Sequence, residues 1–236
     1  MRVSSLSDIG LVRKTNEDNH LVQKEKGLFI VADGMGGHKG GQLASTLAIQ
    51  TIEGFLQSED KFENKGVALC LALKAANEKI FREAAISDNQ GMGTTVTAMK
   101  ILNSRAYIAH IGDSRAYLIR NNQISLITND HSLVGELIRS GEITQEEALV
   151  HPHRNVLIRA LGTEVDVDVD LIELDLLPDD ILLLCTDGLS NFVRDEEILK
   201  IITQHSIHES TRYLVKRAIE LGGLDNITVV LVHYEG

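Results

Sequence analysis

The stretch GLFIVADGMGG (residues 27–37) places an unbroken apolar run directly before an aspartate and a glycine. The same arrangement returns in DILLLCTDGLS (residues 180–190). A continuous apolar run of this length is typical of a strand that is buried on both faces. Asp33 and Asp187 are therefore expected at the ends of rigid strands, each followed by a glycine that lets the chain turn. An ordinary Asp-Gly turn is the simpler alternative for either motif alone.

Apolar periodicity around these two stretches predicts the rest of the architecture. Strands are expected at residues 27–32, 95–101, 106–111, 116–120, 181–185 and 226–233, and the alternating VDVDVDL (165–171) predicts a further strand with one solvated face. Helices are expected at residues 43–57, through Leu69, Leu73, Ala76 and Ile80, and at 196–204 and 209–221. Because the helices come in pairs, the pattern favours antiparallel sheets covered by helix pairs over a doubly wound parallel sheet.

Bulk composition favours one large domain over residues 1–236. The chain has 43% hydrophobic residues, a net charge of −11 and no stripe of basic residues. We therefore expect no nucleic-acid partner. No run approaches the ~20 apolar residues that span a bilayer, and the start MRVSSLSDIG lacks the apolar core of a signal peptide. Cys70 and Cys185 lie in apolar runs, as buried thiols of a reducing compartment do. No membrane partner and a cytoplasmic location are expected.

Other acidic residues also lie at the edges of strand-like runs. Glu17 and Asp18 occur in RKTNEDNH, Asp113 in AHIGDSRAY and Asp225 in GGLDNITVVLV. Clustered carboxylates repel one another unless cations neutralise them. Sites made only of oxygen ligands suit Mg²⁺ or Mn²⁺, and two such ions ~3.5–4 Å apart can activate a bridging water for phosphoryl displacement. The sequence therefore predicts a metal centre for phosphate chemistry.

Other phosphate-handling motifs fail in this sequence. GMGGHKGGQ has no Gly-Lys-Ser/Thr sequence and does not fit GxGxxG, which excludes a P-loop and a dinucleotide fingerprint. A cysteine-nucleophile phosphatase needs an arginine six positions after the cysteine, where Cys185 is followed by Asn191. Several histidines are candidates for a general acid, with surface or capping roles as the simpler alternative, and none is singled out: His38, His131, His151 and His153.

An ordered set of motifs resembles the bacterial PPM-type (type 2C) serine/threonine protein phosphatases of the compact kind. The set comprises SDIGLVRKTNEDN, FIVADGMGGHKGG, MGTTVTA, AHIGDSRAYLIR, TNDHSLVGELIRSGEIT, HPHRNVLIRALG, LLLCTDGLSNFV and GGLDNITVVLV, and it covers essentially the whole chain. The resemblance implies an α+β fold, a four-layer αββα sandwich of two antiparallel sheets flanked by helix pairs. The metal centre would lie at one end of the sandwich, beside a mobile flap formed by residues 128–164.

The resemblance also implies residue roles. Asp33 would bridge two core Mn²⁺ or Mg²⁺ ions, the Gly34 carbonyl would bind one of them, and Asp187 and Asp225 would bind the other. Roles further from the core ions fall to Glu17 and Asp18, which would hold metal-bound waters, to Arg13, which would grip the substrate phosphate, and to Asp113, which would bind a weaker third ion. Many relatives carry an aspartate where this chain has Asn191, so the third ion is expected to bind less tightly.

The expected reaction is hydrolysis of phosphoserine or phosphothreonine by direct attack of a metal-bridging hydroxide, without a phosphoenzyme. Phosphorylated proteins are the expected partners, in particular a Ser/Thr kinase and its targets, and a monomer is expected. One alternative is a catalytically inactive member of the fold that acts as a regulatory protein. Another is a metal-dependent phosphodiesterase that acts on nucleotides, which the acidic surface disfavours.

Overall fold

The computed structural model describes residues 1–36, 40–57, 62–86 and 91–236. The strands are β1 (Arg2–Asp8), β2 (Asn19–Gln23), β3 (Leu28–Ala32), β4 (Gly34–Met35), β5 (Gly93–Thr94), β6 (Val96–Leu102), β7 (Arg105–Ile111), β8 (Arg115–Arg120), β9 (Gln123–Leu126), β10 (Asp170–Asp175), β11 (Ile181–Cys185) and β12 (Ile227–His233). The helices are α1 (Gly40–Leu56), α2 (Lys65–Ile86), α3 (Leu133–Ser140), α4 (Gln145–Leu149), α5 (Asp187–Ser190), α6 (Asp195–Gln204) and α7 (Ile207–Glu220).

The long strands form two five-stranded sheets. The first has the order β1-β12-β11-β8-β9 and the second has the order β10-β7-β6-β3-β2, and neighbouring strands are antiparallel in both. The short strands β4 and β5 form a separate ribbon. The two sheets stack face to face, with α1 and α2 on the second sheet and α6 and α7 on the first.

Three apolar layers hold this sandwich together. Alternate residues of one strand serve different layers, because successive side chains point to opposite faces of a sheet. On β3, Ile30 packs under α1 and α2, whereas Phe29 and Val31 pack between the sheets. On β11, Leu183 packs under α6 and α7, whereas Leu184 packs between the sheets. Both faces of the central strands are buried, which explains their unbroken apolar runs.

The predicted four-layer αββα fold is confirmed, and so are the helix pairs. Every predicted strand from the apolar runs has a counterpart within a few residues. The sequence did not predict β1, β2 and β9, which are edge strands or polar ones. β1, for example, reads RVSSLSD and has no fully buried residue. Such strands are specified by pairing with a distant strand, here β12 at the other end of the chain.

The strand predicted at 165–171 is wrong in position. The observed strand begins at Asp170, and residues 165–169 have no regular structure. Its partner β7 ends at Ile111, and Asp170 already pairs with His110, so no strand remains for the preceding residues to bond. The side chain of Asn77 on α2 instead binds the carbonyl oxygens of residues 164 and 165 at 3.0 Å.

The segment 128–164 contains the short helices α3 and α4, as its polar, strand-poor sequence predicts. Helix α3 begins at the capping residue Ser132 and ends at Gly141 in the left-handed conformation. Helix α4 begins with a capping box between Thr144 and Glu147. No helix among the described residues is both long and apolar enough to cross a membrane.

Candidate metal centre

One end of the sandwich gathers the acidic residues that the sequence singled out. Asp33 directly follows β3, Asp113 lies in the turn between β7 and β8, and Asp187 follows β11 as the first residue of α5. Asp18 directly precedes β2, and Asp225 lies two residues before β12. The antiparallel registers bring these strand ends together, since β3 ends where β6 begins and β11 ends where β12 begins.

Hydrogen bonds fix the backbone on both sides of Asp33. Its N–H donates to Thr95 Oγ1 at 3.0 Å, and its carbonyl oxygen accepts from the Thr95 N–H at 2.9 Å and from Thr94 Oγ1 at 2.8 Å. Thr95 Oγ1 also bonds Ser114 Oγ at 2.7 Å. These bonds hold the backbone of Asp33 in place, so the position from which its carboxylate extends is fixed.

The glycines of both Asp-Gly motifs allow backbone contacts that a side chain would block. A Cβ added at Gly34 would lie 2.1 Å from the Gly41 carbonyl oxygen, and one at Gly188 would lie 1.8 Å from the Asn226 carbonyl oxygen. A Cβ added at Gly41 would meet Glu17 Oε2 at 2.3 Å and the Gly34 carbonyl oxygen at 2.7 Å. The Glu17 carboxylate and the Gly34 carbonyl thus face the same small space at the start of α1.

Asp18 is buried in a polar pocket between the two sheets. Its Oδ2 accepts from Thr186 Oγ1 at 2.8 Å and from Thr228 Oγ1 at 2.7 Å. Its Oδ1 is buried without a hydrogen-bond partner among the described residues. The pKa of Asp18 is raised to about 7, mainly by burial and further by the charges of Asp187 and Asp225, while the two threonine hydroxyls counteract the rise.

Asp187 resembles Asp18 in that only one of its two carboxylate oxygens accepts a hydrogen bond from the described residues. Its Oδ2 accepts from Asn191 Nδ2 at 3.0 Å, whereas its Oδ1 is buried and lacks a hydrogen-bond partner in the described ranges. Burial and then the nearby charge of Asp225 raise the pKa of Asp187 to about 6. A buried carboxylate oxygen without a donor is costly, so a ligand that supplies positive charge would be favoured here.

The carboxylates act on one another through a shared electrostatic field. Burial raises the pKa of Asp33 well above its ordinary value, and the neighbouring carboxylates add to the rise: Asp18, Asp187, Asp113 and Asp225. Burial likewise raises the pKa of Asp113, with further contributions from Asp187 and Asp130 and an opposing one from Arg115. These acidic groups therefore lie close enough to repel one another strongly.

Arg13 is the cation at the exposed side of this cluster. Its Nη2 donates to Asp225 Oδ2 at 2.7 Å, and about half of the Arg13 side chain is exposed. This hydrogen bond raises the pKa of Arg13, and the charges of Asp225, Asp33 and Glu17 act in the same direction. The guanidinium is permanently charged, planar and reachable from solvent, as binding of a phosphate group requires.

The donor set suits hard divalent cations. It consists of carboxylates and backbone carbonyls, with two partnerless buried carboxylate oxygens among the described residues, and such oxygen ligands fit Mg²⁺ or Mn²⁺. No group of three or more His, Cys, Asp or Glu side chains within the described ranges has the spacing of a complete metal cage. The Asp225 carboxylate bonds Arg13, so it is turned away from the position that a ligand of a shared ion would take. The charge and the ligand atoms of these residues suit divalent cations, but the side chains do not form a closed coordination cage.

Comparison with known proteins decides the family. The family model described as protein phosphatase 2C matches residues 12–219. The chain belongs to the protein phosphatase 2C family. It is 39% identical to the serine/threonine phosphatase stp of Listeria welshimeri, over 98% of this chain and 95% of that protein. Membership makes this chain a serine/threonine protein phosphatase, an enzyme class that depends on Mn²⁺ or Mg²⁺.

Solved structures of similar phosphatases agree with this assignment. The crystal structure of PstP/Ppp from Mycobacterium tuberculosis has 38% identity and a TM-score of 0.93, and the match covers 100% of this chain and 99% of that one. A PstP catalytic domain solved in complex with two manganese ions has 37% identity and a TM-score of 0.90, with 99% and 98% coverage. The fold predicted for this phosphatase is therefore the fold of solved bacterial members of the family.

The histidines of the phosphatase have different surroundings. His38 lies outside the described residues. His131 is fully buried; the Gly112 N–H donates to its Nδ1 at 3.1 Å, so its Nε2–H donates to Asp170 Oδ2 at 3.1 Å. Burial lowers the pKa of His131. His151 and His153 lie after α4 with their rings 5.8 Å apart. Within the described residues, none of these contacts reaches the acidic cluster.

Three polar residues that the sequence analysis missed shape the site. Asn226 Oδ1 accepts from the Glu17 N–H at 2.8 Å, and Asn226 Nδ2 donates to the carbonyl oxygens of Ile9 at 2.9 Å and Thr15 at 3.1 Å. This side chain fastens the loop that carries Arg13. The other two are Thr186 and Thr228, which hold Asp18. The only available signal was a small polar residue within or beside an apolar strand.

Proposed function

We propose that this phosphatase hydrolyses phosphoserine and phosphothreonine in proteins by direct attack of an activated water on phosphorus. The observation that carries the proposal is the convergence of Asp18, Asp33, Asp113, Asp187 and Asp225 at one end of the sandwich. Burial and the charges of neighbouring carboxylates raise the pKa values of the first four. So much negative charge can approach a phosphate only when cations neutralise it. When bound, the ions supply that neutralisation, Lewis acidity and an activated water.

The surroundings of the cluster support a division of roles. Asp33 would bind both core ions, because it experiences the charge of carboxylates that lie on several different strands. Asp187 and Asp225 would bind one of the two, and the Gly34 carbonyl would bind the other. Glu17 and Asp18 would hold water molecules, since Glu17 faces the Gly34 carbonyl and the buried Asp18 Oδ1 has no hydrogen-bond partner among the described residues.

Asp113 is proposed to bind a third, weaker ion. The charge of Arg115 counteracts the raised pKa of Asp113, whereas the charges of Asp187 and Asp130 add to the rise. Asn191 brings no negative charge to this side of the site, and its amide donates to Asp187 Oδ2. A single carboxylate beside a neutral amide binds a divalent cation less tightly than two carboxylates do.

Arg13 is proposed to orient the substrate phosphate. Its exposed guanidinium lies beside Asp225 and within the field of Asp33 and Glu17, so it can hold a phosphate against the bound ions. Holding the phosphate in line with the attacking water lowers the entropic part of the barrier. The developing negative charge is stabilised in the same geometry.

The surroundings of Cys185 favour water over a protein nucleophile. This thiol is buried on β11, two residues before Asp187, and burial raises its pKa to about 12. A thiol with that pKa carries almost no thiolate at neutral pH and cannot reach a substrate. A covalent phosphoenzyme through Cys185 is therefore disfavoured, in agreement with direct hydrolysis.

Partners and location follow from the reaction. A phosphatase with this specificity acts on proteins that a Ser/Thr kinase has phosphorylated, so that kinase and its targets are the proposed partners. Both cysteines are free, and Cys185 is buried, which suits a reducing compartment such as the cytoplasm. A monomer remains the proposed assembly state.

The test is phosphate release from a phosphothreonine peptide in ¹⁸O-labelled water. With Mn²⁺ present we expect turnover, one ¹⁸O atom in each released phosphate, and no phosphorylated protein after an acid quench. EDTA should abolish release, and added Mn²⁺ should restore it. No release under any metal condition would instead support an inactive regulatory protein, and an acid-stable phosphoprotein intermediate would contradict direct attack.

A further inference from the structure

Two loops at the rim of the acidic cluster carry exposed aliphatic side chains. Leu11 is 69% exposed, Val12 60% and Leu224 51%, and Ile9 and Leu221 are each 38% exposed. Single exposed aliphatic residues are ordinary on a protein surface. Here they come from only two short segments, residues 9–12 and 221–224, and we call these five residues the rim patch.

Direct contacts join the two segments of the rim patch. The Leu11 N–H donates to the Gly223 carbonyl oxygen at 2.7 Å, and a Cβ added at Gly223 would lie 3.0 Å from Leu11 Cγ. The Ile9 carbonyl oxygen accepts from Asn226 Nδ2 at 2.9 Å. The two segments are thus joined at Leu11 and Gly223, which brings the exposed aliphatic residues of both segments to the same side of the rim.

The rim patch adjoins the residue that receives the phosphate. Val12 precedes Arg13 and Leu224 precedes Asp225, and the Arg13 and Asp225 side chains are joined at 2.7 Å. An extended peptide advances ~3.3 Å per residue, so a side chain about two positions from a phosphothreonine held at Arg13 would reach the patch. The exposed cations Arg13 and Lys14 lie beside the patch on a chain with a net charge of −11.

We propose that the rim patch binds aliphatic side chains that flank the phosphorylated residue in protein substrates. This inference rests on the proposed function and deepens it by naming a substrate class: phosphopeptides with leucine-like residues about two positions from the phosphate. The patch is a binding surface, and none of its five residues has a role in the chemical step.

The experiment compares two phosphothreonine peptides that differ only two positions before and two positions after the phosphothreonine, with leucine at both in one and serine at both in the other. The small substrate p-nitrophenyl phosphate reports on chemistry without flanking contacts. The variant is Leu11→Asn combined with Leu224→Asn. The matched control is Leu102→Asn combined with Leu177→Asn, because these leucines are 39% and 50% exposed and lie at the opposite end of the sheets.

The wild-type protein should hydrolyse the leucine peptide with a kcat/KM about tenfold above that of the serine peptide, since burying part of two leucines on binding is worth at least that factor. The rim variant should lose this preference through a higher KM. Its turnover of the serine peptide and of p-nitrophenyl phosphate should match the wild type, and the control variant should keep the preference.

Other results overturn the inference. It is wrong if the wild type hydrolyses both peptides alike while p-nitrophenyl phosphate is turned over, or if the rim variant loses activity on all three substrates equally. A wild-type dimer that becomes monomeric in the rim variant with unchanged peptide preference would assign the patch to a second copy of the chain. A wild type inactive on every substrate with Mn²⁺ overturns the proposed function itself, and this inference with it.

Discussion

Asp18, near the start of the chain, is held by two hydroxyl groups from the C-terminal part of the chain. Thr186 lies directly before Asp187, and Thr228 lies on β12, yet both donate to the same carboxylate oxygen. These donors keep the pKa of Asp18 from rising further above about 7. Their effect on the reaction therefore passes through Asp18, which makes them positioning residues.

Replacing Thr228 with Val should shift the pH profile of the enzyme. The change conserves shape but removes one donor to Asp18, so the pKa of Asp18 rises and the carboxylate is protonated over a wider pH range. We expect the rising limb of the kcat–pH curve to move upward by about one pH unit, since losing one charge-assisted hydrogen bond costs roughly 1.5 kcal/mol. KM for a peptide should change little.

Thr203→Val is the matched control, because the Thr203 hydroxyl donates to the carbonyl oxygens of Leu199 and Lys200 in its own helix α6. Its pH profile should match the wild type. An unchanged profile in Thr228→Val, with normal stability, would show that the hydroxyl only supports packing. The measurement is steady-state turnover between pH 5.5 and 9 at saturating Mn²⁺.

Among single residues, the sequence predicts the carboxylates of the site better than the polar residues that hydrogen-bond to them. Asp33 and Asp187 could be found because each ends an unbroken apolar run followed by glycine. Thr228 could not, because its partner Asp18 lies 210 residues away and no local pattern connects them. The same holds for Asn226, whose bonds to the N-terminal loop span more than 200 residues.

The segment 128–164 is fastened to the second sheet by a charged network at both of its ends. Asp170 on β10 accepts from His131 Nε2 at 3.1 Å and from Arg159 Nη1 at 2.9 Å. Burial alone would raise the pKa of Asp170, but these two bonds outweigh it and the pKa is lowered. A separate ion pair ties the start of the segment to the first sheet, where Arg115 on β8 pairs with Asp130 through Nη2 and Oδ2 at 2.7 Å.

Replacing Asp170 with Asn should loosen this segment without touching the acidic cluster. Partly exposed ion pairs contribute about 1 kcal/mol, which corresponds to a roughly fivefold change in local opening. We expect trypsin to cleave within residues 128–164 about fivefold faster under native conditions. Turnover of p-nitrophenyl phosphate should stay near the wild-type value.

Asp175→Asn provides the control on the same strand, because Asp175 pairs with the exposed Arg105 at the far end of β10. Mass spectrometry of the fragments locates the cuts. Equal cleavage rates for Asp170→Asn and the control would mean that the network does not anchor the segment.

The sequence predicts strands well where both faces of the strand are buried. It predicts them less well where the pairing strand determines where a strand begins. The central strands β3, β7 and β11 carry apolar runs that predict them directly. The Val-Asp alternation at 165–171 resembles a strand, but β7 ends too early to pair with it, so the strand starts at Asp170. A local pattern cannot reveal where a distant partner stops.

Burial and mutual repulsion of the carboxylates at one end of the sandwich lower the free energy of unfolding of the whole molecule. Burial and mutual repulsion raise the pKa of Asp18 to about 7 and that of Asp187 to about 6. Between pH 4 and 7 the folded chain therefore holds protons that the unfolded chain releases, and the free energy of unfolding falls as pH rises through this window. Bound cations offset the cost, because they bind only the folded arrangement.

In EDTA, Asp18→Asn should make the protein more stable than the wild type at pH 8. The asparagine oxygen can still accept from the two threonines, but the buried negative charge is gone. The pKa of Asp18 is raised from 3.8 to about 7. Each pKa unit corresponds to about 1.4 kcal/mol, and 1 kcal/mol to roughly 2–4 °C in a protein of this size, so we expect Tm to rise by about 10 °C. At pH 5 the difference should be smaller, since Asp18 is protonated in the folded wild type.

Scanning calorimetry at pH 5 and pH 8 measures both effects. Adding Mn²⁺ should raise the Tm of the wild type at pH 8 and raise that of Asp18→Asn by less. A wild-type Tm in EDTA that increases steadily from pH 5 to pH 8 would contradict the proposed repulsion among the buried carboxylates.

The central claim is that Asp33 binds the cations on which phosphatase turnover depends. The most direct test measures Mn²⁺ binding and turnover on the same variants. Titration calorimetry and phosphothreonine-peptide hydrolysis would be run on the wild type, Asp33→Asn and the surface control Asp175→Asn. We expect two tight Mn²⁺ sites and full turnover in the wild type and the control. In Asp33→Asn we expect loss of tight binding and at least a thousandfold lower kcat, since several kcal/mol of transition-state stabilisation disappear. Tight binding of two ions or substantial turnover in Asp33→Asn would contradict the account.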